Sequence, residues 1–417
     1  MSQTRALETL TAGFSEPVRD PLWGNILFTP GLAAIVSSPP FAKLGRIRQL
    51  GPAHLVYPGA THTRRAHSIG VYHVALRLAR ALAAQGSMDS FAPERLMSYL
   101  VAALCHDLGH FPFAHSLKEL PLEEHEALTA RAILAEPLFS LVRASGADPE
   151  FAAAIVDGSR PENGDLELRF FRGLLSGVLD PDKLDYLNRD AFFCGVPYGL
   201  QDVDFILQRV RVGPGDSLAI DEKGIMSVES LLFAKYLMYR SVYWHRDVRS
   251  ATAMIKKALS MALEEGAIKP EELYGLDDDG FHARLRSIPF APFALADSVF
   301  EGRIYAAFLD LPFDEGDPRH AGIADLSLRL RVEEELAVRG GLGSLDVIVD
   351  LPEPISFETD LTVLASVPGA ESLPFSESPS VFSPPVVAGF ARSLRRLRVF
   401  ASEPSPALSR SARERFG

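Results

Sequence analysis

Cysteine is nearly absent: the 417 residues hold two, Cys105 and Cys194. Neither sits in a CxxC pair, so a disulfide framework is excluded and a reducing compartment is expected. Cys105 lies among apolar neighbours and reads as a small buried residue. Long hydrophobic runs are missing too. The most apolar window, residues 100–113, is interrupted by His106, Asp107 and His110, and the first twenty residues lack the apolar stretch of a signal peptide. The expectation is a soluble, non-secreted, cytoplasmic protein with no membrane partner. An excess of positive charge is also lacking. The formal net charge is -12, so nucleic acid or an anionic membrane would meet repulsion over most of the surface. Any anionic ligand therefore requires local cations. Arginines gather at Arg46, Arg48, Arg64 and Arg65, and again at Arg240, Arg246 and Arg249, although solvated helix faces are the ordinary place for such residues. No repeat recurs at a period of roughly 20 to 50 residues, which excludes a solenoid.

What is present is ordinary globular material, 47% hydrophobic and 23% charged, enough for a large core and a smaller second unit. Apolar spacings of three and four predict helices over residues 32–36, 41–50, 67–84, 93–108, 122–135, 148–156, 166–179, 182–194 and 202–212, and one long helix over 228–265. Pro93 at a helix start and Gly109 just past its end are the expected punctuation. An extended piece is expected at 23–28, a hairpin-like insert at 212–226, and a strand at 344–351 that pairs with 361–367 or 397–400. The Pro- and Ser-rich stretch 368–385 reads as loop. The predicted class is thus mainly α. Its divisions are an arm at 1–20, a core at 21–265, a smaller α+β region at 266–402 and a flexible tail at 403–417.

Eight of the eleven histidines fall between His54 and His125, a concentration that points to a shared role. His106 and Asp107 end an otherwise apolar helix, where each polar group needs a partner or incurs the penalty of unsatisfied burial. A metal ion satisfies both. His110 lies one helical turn beyond His106, His67 starts the preceding helix, and Asp182 opens a helix after Pro181. Two imidazoles and two carboxylates suit a divalent transition metal such as Mn, Fe, Co, Ni or Zn, whereas all-oxygen sites suit Mg or Ca. Singly, each of these residues is better explained by ordinary structure; their order and flanks together favour the metal.

These residues also carry a family resemblance. The order His67, His106-Asp107, Asp182 resembles the signature of the HD superfamily of metal-dependent phosphohydrolases. The blocks VYPGATHTRRAHSIGV (56–71), CHDLGHFPFAH (105–115), LDPDKLDYLNRD (179–190) and YWHR (243–246) resemble its deoxynucleoside triphosphate triphosphohydrolase branch, which includes dGTPase-like enzymes and the SAM- and HD-domain dNTPase. The resemblance implies an HD-domain helical core with His67, His106, Asp107 and Asp182 as metal ligands. It implies His110 and His125 as catalytic groups near the scissile phosphate, the first orienting water or acting as base and the second donating a proton. It implies phosphate contacts from Arg64, Lys183 and Tyr186, sugar contacts from Gln49 and Leu50, and base or sugar contacts from Tyr243, His245 and Arg246, the last replacing a family lysine. The implied reaction releases deoxynucleoside and inorganic triphosphate, with Mg accompanying the nucleotide; the implied assembly is a homo-oligomer. A free histidine titrates near ~6.5, which suits a proton donor at neutral pH. His115 is expected to fix its loop through a backbone carbonyl, and His62 and His73 to be structural. Two departures stand out: Arg65-Ala66 replaces a common Phe-Glu pair, and Ser37, Ala42 and Gly45 are too small to build the effector site of nucleotide-activated relatives. The other readings are a different HD-type nucleotide phosphohydrolase (a nucleotidase, phosphodiesterase or nuclease) and a non-catalytic nucleotide-binding regulator.

Overall fold

The structure is a computed structural model that describes residues 5–366 and 371–417. Residues 1–4 of the expected arm, and 367–370 within the expected loop and at the end of one expected strand, lie outside the described residues. Helix makes up 55% of the chain, the mainly α class that the periodicity predicts, and the strands form three small sheets.

Three helices set the frame. Arg64–Ala83 starts at Thr63, whose hydroxyl accepts from the Ala66 N–H, and it is buried on most of its circumference. Pro93–Cys105 and Pro181–Cys194 pack against it. Each of these two begins with a proline, whose missing N–H is not needed in a first helical turn, and Asp180 caps the second by accepting from the Lys183 N–H at 2.7 Å. The first turn of Arg64–Ala83, the last turn of Pro93–Cys105 and the first turn of Pro181–Cys194 therefore meet at one place.

Several expectations need correction. Residues 5–20 do not form a loose arm: Arg5–Thr9 is helical, and Glu16–Asp20 pairs antiparallel with Gly24–Phe28. Ala6, Leu10 and Phe14 anchor this segment in the main core, too few apolar residues to give a periodic signal. The single long helix over 228–265 is three pieces, Ile225–Met238, a π turn Tyr239–Tyr243, and Arg246–Glu264. The break is held by two local contacts and one from far along the chain. His245 Nδ1 accepts from the Asp247 N–H at 3.3 Å to cap the last piece, the Trp244 ring lies 5.2 Å from Tyr239, and Tyr57 donates to the Ser241 carbonyl at 2.6 Å. The tail is likewise ordered. Pro406–Phe416 is a helix capped by Ser405, with Leu408, Ala412 and Phe416 buried at four-residue spacing against Leu326–Gly340.

The insert pairs Val210–Val212 antiparallel with Leu218–Asp221, and Thr362–Leu364 adds in parallel on the far side. The strand expected at 344–351 is Val347–Asp350; it pairs with Arg396–Ala401, Ile348 facing Phe400, and Ala306–Pro312 flanks the other edge. Within the expected loop, Phe375 is fully buried. Apolar packing crosses residue 265 in both directions. Phe111, Leu117, Leu120 and Leu128 share a core with Met254, Leu259, Phe281, Phe293 and Phe400. In return, Phe357, Leu361, Phe375 and Leu394 join the main N-terminal core. Among the described residues, no helix is long and apolar enough to cross a membrane.

Candidate metal centre

Four side chains converge where the three helix ends meet. His67 Nε2 lies 2.9 Å from Asp182 Oδ1, His106 Nε2 lies 3.7 Å from the same oxygen, and His106 Nε2 lies 3.3 Å from Asp107 Oδ1. The His106 ring is fixed by its other nitrogen, which donates to the Ala103 carbonyl at 2.9 Å. That leaves Nε2 buried with no hydrogen-bond partner among the described residues, a state that costs about 1–3 kcal/mol when nothing satisfies it. An orphaned imidazole nitrogen beside a second imidazole and two carboxylates fits a divalent transition cation well. His67, His106, Asp107 and Asp182 are the residues that would hold it.

A layer behind the cluster orients it. His67 Nδ1 donates to Asp185 Oδ2 at 2.9 Å; Arg189 grips both oxygens of Asp185, at 2.8 and 3.0 Å, and Asp20 in turn at 2.9 Å. The Trp23 indole donates to Asp185 Oδ1 at 2.6 Å. A carboxylate behind a ligating imidazole fixes its tautomer and raises its basicity. Gly70 makes the approach possible, because a Cβ there would fall 1.9 Å from Asp185 Oδ1. Sequence reasoning missed this layer. Asp185 and Arg189 follow Asp182 on the same helix at i+3 and i+7, which is a readable signal, whereas Trp23 and Asp20 arrive only through the tertiary fold.

Charges at the centre are interdependent. Burial would lower the His67 pKa, but hydrogen bonds to Asp182 and Asp185 outweigh it and raise the value to about 10. Burial would raise the Asp182 carboxyl, yet the same His67 contact brings it to about 2. Asp107, which burial also disfavours as an anion, is held well below its ordinary value by His110, His106 and Arg64; Arg64 donates to it at 2.8 Å.

Beside the quartet stands a second imidazole cluster. His110 Nδ1 lies 3.1 Å from Asp107 Oδ1, its Nε2 lies 3.0 Å from His115 Nε2, and its ring centroid lies 3.9 Å from that of His125. His115, expected to bond a backbone carbonyl, belongs to this group instead. Gly109 lets the His125–Ile133 helix press on the metal-site turn, since a Cβ would meet the His125 carbonyl at 2.1 Å. Thr129 then ties the two together, accepting from Gly109 and donating to the His106 carbonyl. Lys43 closes the other side by donating to the Leu108 and His110 carbonyls, both at 3.0 Å. Burial, reinforced by Arg64, drops the His125 pKa to about 4, with Asp107 opposing. The value near ~6.5 expected from a free ring therefore does not hold in the ligand-free protein.

The remaining expected residues separate into two groups. Lys183 and Tyr186 share the Pro181–Cys194 helix with Asp182; Lys183 donates to Asp180 at 2.6 Å and to the Gly177 carbonyl at 3.0 Å. Tyr243 lies 6.2 Å from Tyr186, ring to ring, and donates to Asp190, which also contacts His62 at 2.8 Å. Gln49 keeps a buried side-chain oxygen without a partner, and Leu50 packs in the apolar cluster beside it. His245 and Arg246 are engaged locally: the first caps a helix and the second extends into solvent beside Asp247. Most other arginines of the two basic groups are neutralised by neighbours, Arg46 by Asp277, Arg48 by Asp278 and Arg249 by Asp350.

Comparison with known proteins agrees with this geometry. The sequence matches the HD domain over residues 64–164 and the HD associated region over 202–372, so three of the four clustered side chains fall in the first and Asp182 lies between the two. The chain is 32% identical over 272 residues to the uncharacterized protein YwfO of Bacillus subtilis, an alignment covering 65% of this chain and 57% of that one. It is 28% identical over 279 residues to the deoxynucleoside triphosphate triphosphohydrolase SAMHD1 of Bos taurus, covering 59% and 47%. It thus spans about half the length of the curated relatives it matches. A crystal structure of a hypothetical protein from Aquifex aeolicus superposes with a TM-score of 0.73 at 25% identity, covering 96% of this chain and 99% of that one. A Bacteroides thetaiotaomicron phosphohydrolase gives the same TM-score at 22% identity, covering 93% and 99%, a likeness of fold alone. The chain thus matches an HD domain followed by an HD associated region, and in sequence it resembles deoxynucleoside triphosphate triphosphohydrolases.

Proposed function

We propose that this chain is a metal-dependent phosphohydrolase that cleaves deoxynucleoside triphosphates into deoxynucleoside and inorganic triphosphate. The observation that carries the reading is the buried, partnerless His106 Nε2 in a cluster of two imidazoles and two carboxylates, with Arg64 and Lys183 beside it. A divalent transition metal held by His67, His106, Asp107 and Asp182 supplies Lewis-acid polarisation of a phosphoryl oxygen and acidifies water. The protein's own side chains do the rest. Arg64 and Lys183 neutralise phosphate charge with Tyr186 contacting the same phosphates, Gln49 and Leu50 face the sugar, and Tyr243 faces sugar and base. His245 and Arg246 join them only if bound nucleotide draws them from their local contacts. His110 orients the attacking water.

His125 donates its proton to the leaving deoxynucleoside oxygen. Its low basicity in the free protein is compatible with that role, because a bound triphosphate brings several negative charges that raise an imidazole pKa. The electrostatics of the chain agree, since with a net charge of -12 an anion must be drawn by local cations, here Arg64, Lys183 and the metal held beside them. The resident metal is taken as Mn, Fe, Co, Ni or Zn, with Mg accompanying the nucleotide, and the working assembly as a homo-oligomer in the cytoplasm.

Metal analysis of the purified protein, followed by chromatography of the products of the four dNTPs with Mn or Mg, tests the reading. Inorganic triphosphate and deoxynucleoside are expected. Pyrophosphate, orthophosphate or a 5'-mononucleotide would assign the chain to another HD-type nucleotide phosphohydrolase. Tight nucleotide binding without turnover would make it a regulator.

A further inference from the structure

A carboxylate from far along the chain reaches the lysine next to the metal cluster. After the strand Val347–Asp350, residues 351–361 run without regular secondary structure, and Phe357 and Leu361 pin this strap to the main core. From it, Glu358 Oε2 lies 3.0 Å from Lys235 Nζ and 3.9 Å from Lys183 Nζ. Its other oxygen accepts from Ser356 Oγ at 2.9 Å.

The three charged groups differ in freedom. The side chains of Lys183 and Lys235 are 14% and 6% exposed, whereas that of Glu358 is 40% exposed. Lys183 is held by Asp180 and the Gly177 carbonyl, and Lys235 by the Ser356 carbonyl and the Phe357 ring. Two nearly buried ammoniums thus converge on one oxyanion carried by the most exposed of the three partners. A phosphate oxygen would meet the same two cations. Lys235 cannot be left alone cheaply, because a buried charge without a partner is strongly unfavourable. Either the carboxylate or a ligand must stay on it.

We propose that Glu358 is an internal competitor for polyphosphate: the strap keeps the carboxylate on Lys183 and Lys235 in the ligand-free protein, and a polyphosphate chain must displace it to bind. This rests on reading Lys183 as a phosphate contact. A tethered competitor acts at high effective concentration, so it lowers the apparent affinity of every ligand that needs the two lysines. It sets a threshold that a chain of several phosphate charges clears and a weakly charged ligand does not.

Calorimetric titration of metal-loaded full-length protein with inorganic tripolyphosphate tests this directly, independently of hydrolysis. E358Q keeps the shape and removes the charge, and the expected result is a Kd lower by about tenfold. S356A frees one oxygen of Glu358 and is expected to shift affinity in the same direction by a smaller factor, which keeps the test alive if E358Q folds poorly. With any hydrolysed nucleotide, E358Q should act on KM rather than on kcat. Affinity that is equal or weaker in both variants overturns the inference and makes Glu358 a structural partner of the lysines. Tighter tripolyphosphate binding without dNTP hydrolysis leaves the inference standing and removes the proposed activity; dNTP hydrolysis with unchanged affinities does the reverse.

Discussion

His106 shows how much a single ring is constrained at this site. With Nδ1 committed to the Ala103 carbonyl, its other nitrogen has no hydrogen-bond partner among the described residues. His106→Ala or Asp107→Ala is therefore expected to abolish both bound metal and hydrolysis, read by elemental analysis and product chromatography; a variant that keeps either would refute the metal assignment. His125→Ala should keep its metal and lose roughly 10²–10⁴ in kcat, the usual worth of a general acid. The sign of the pH effect follows from its basicity. In the free protein the ring is charged only below about 4, and phosphate charge raises that value in the complex, so kcat should fall as pH climbs through the raised pKa. The His125→Ala enzyme should lack this limb, and an unaltered profile would remove His125 from proton transfer. At this scale the convergence of His67, His106, Asp107 and Asp182 was legible because their flanks match a motif. Asp185 was overlooked although it follows Asp182 by one turn, and the basicity of His125 depends on burial that no local pattern reveals.

At the scale of elements, the frame depends on how closely helices approach. Gly70 of the Arg64–Ala83 helix faces Asp185 with no room for a methyl group, since an added Cβ would also lie 2.4 Å from Arg189 Nη2. Gly70→Ala should push the carboxylate off His67 and weaken metal binding by roughly 10–100-fold, as expected when a ligand's outer support is lost. Competition with a chelating indicator measures this, and unchanged affinity would show that Asp185 is dispensable. The helix Pro149–Val156 behind Asp148 was legible because its cap is local chemistry, whereas Pro181–Cys194 starts one residue earlier than expected, capped by Asp180. The π turn Tyr239–Tyr243 was not. No glycine or proline marks it, and two of the contacts that hold it, from Tyr57 and Asp190, are supplied only by the tertiary fold. The terminal helix escaped notice because its three buried residues sit among charged ones and gain meaning only from the helix they cover.

The whole molecule is knit across residue 265, where the helical periodicity weakens and a boundary was expected. The segment between His110 and His125 rests its apolar side chains on residues beyond 250, and Glu119 within it pairs with Lys256 and Arg329. A chain ended after residue 265 should therefore lose cooperative melting and hydrolysis together; an active, cooperatively melting fragment would show that the second core is not needed. The same connectedness has an optical consequence. There are two tryptophans in all, and Trp23 shares Asp185 with His67, the indole on one oxygen and the imidazole on the other. Titrating metal-free protein with Mn should change its emission spectrum, and Trp23→Phe should abolish that change while Trp244 still fluoresces. The chain thus carries a built-in light signal for whether its metal is in place.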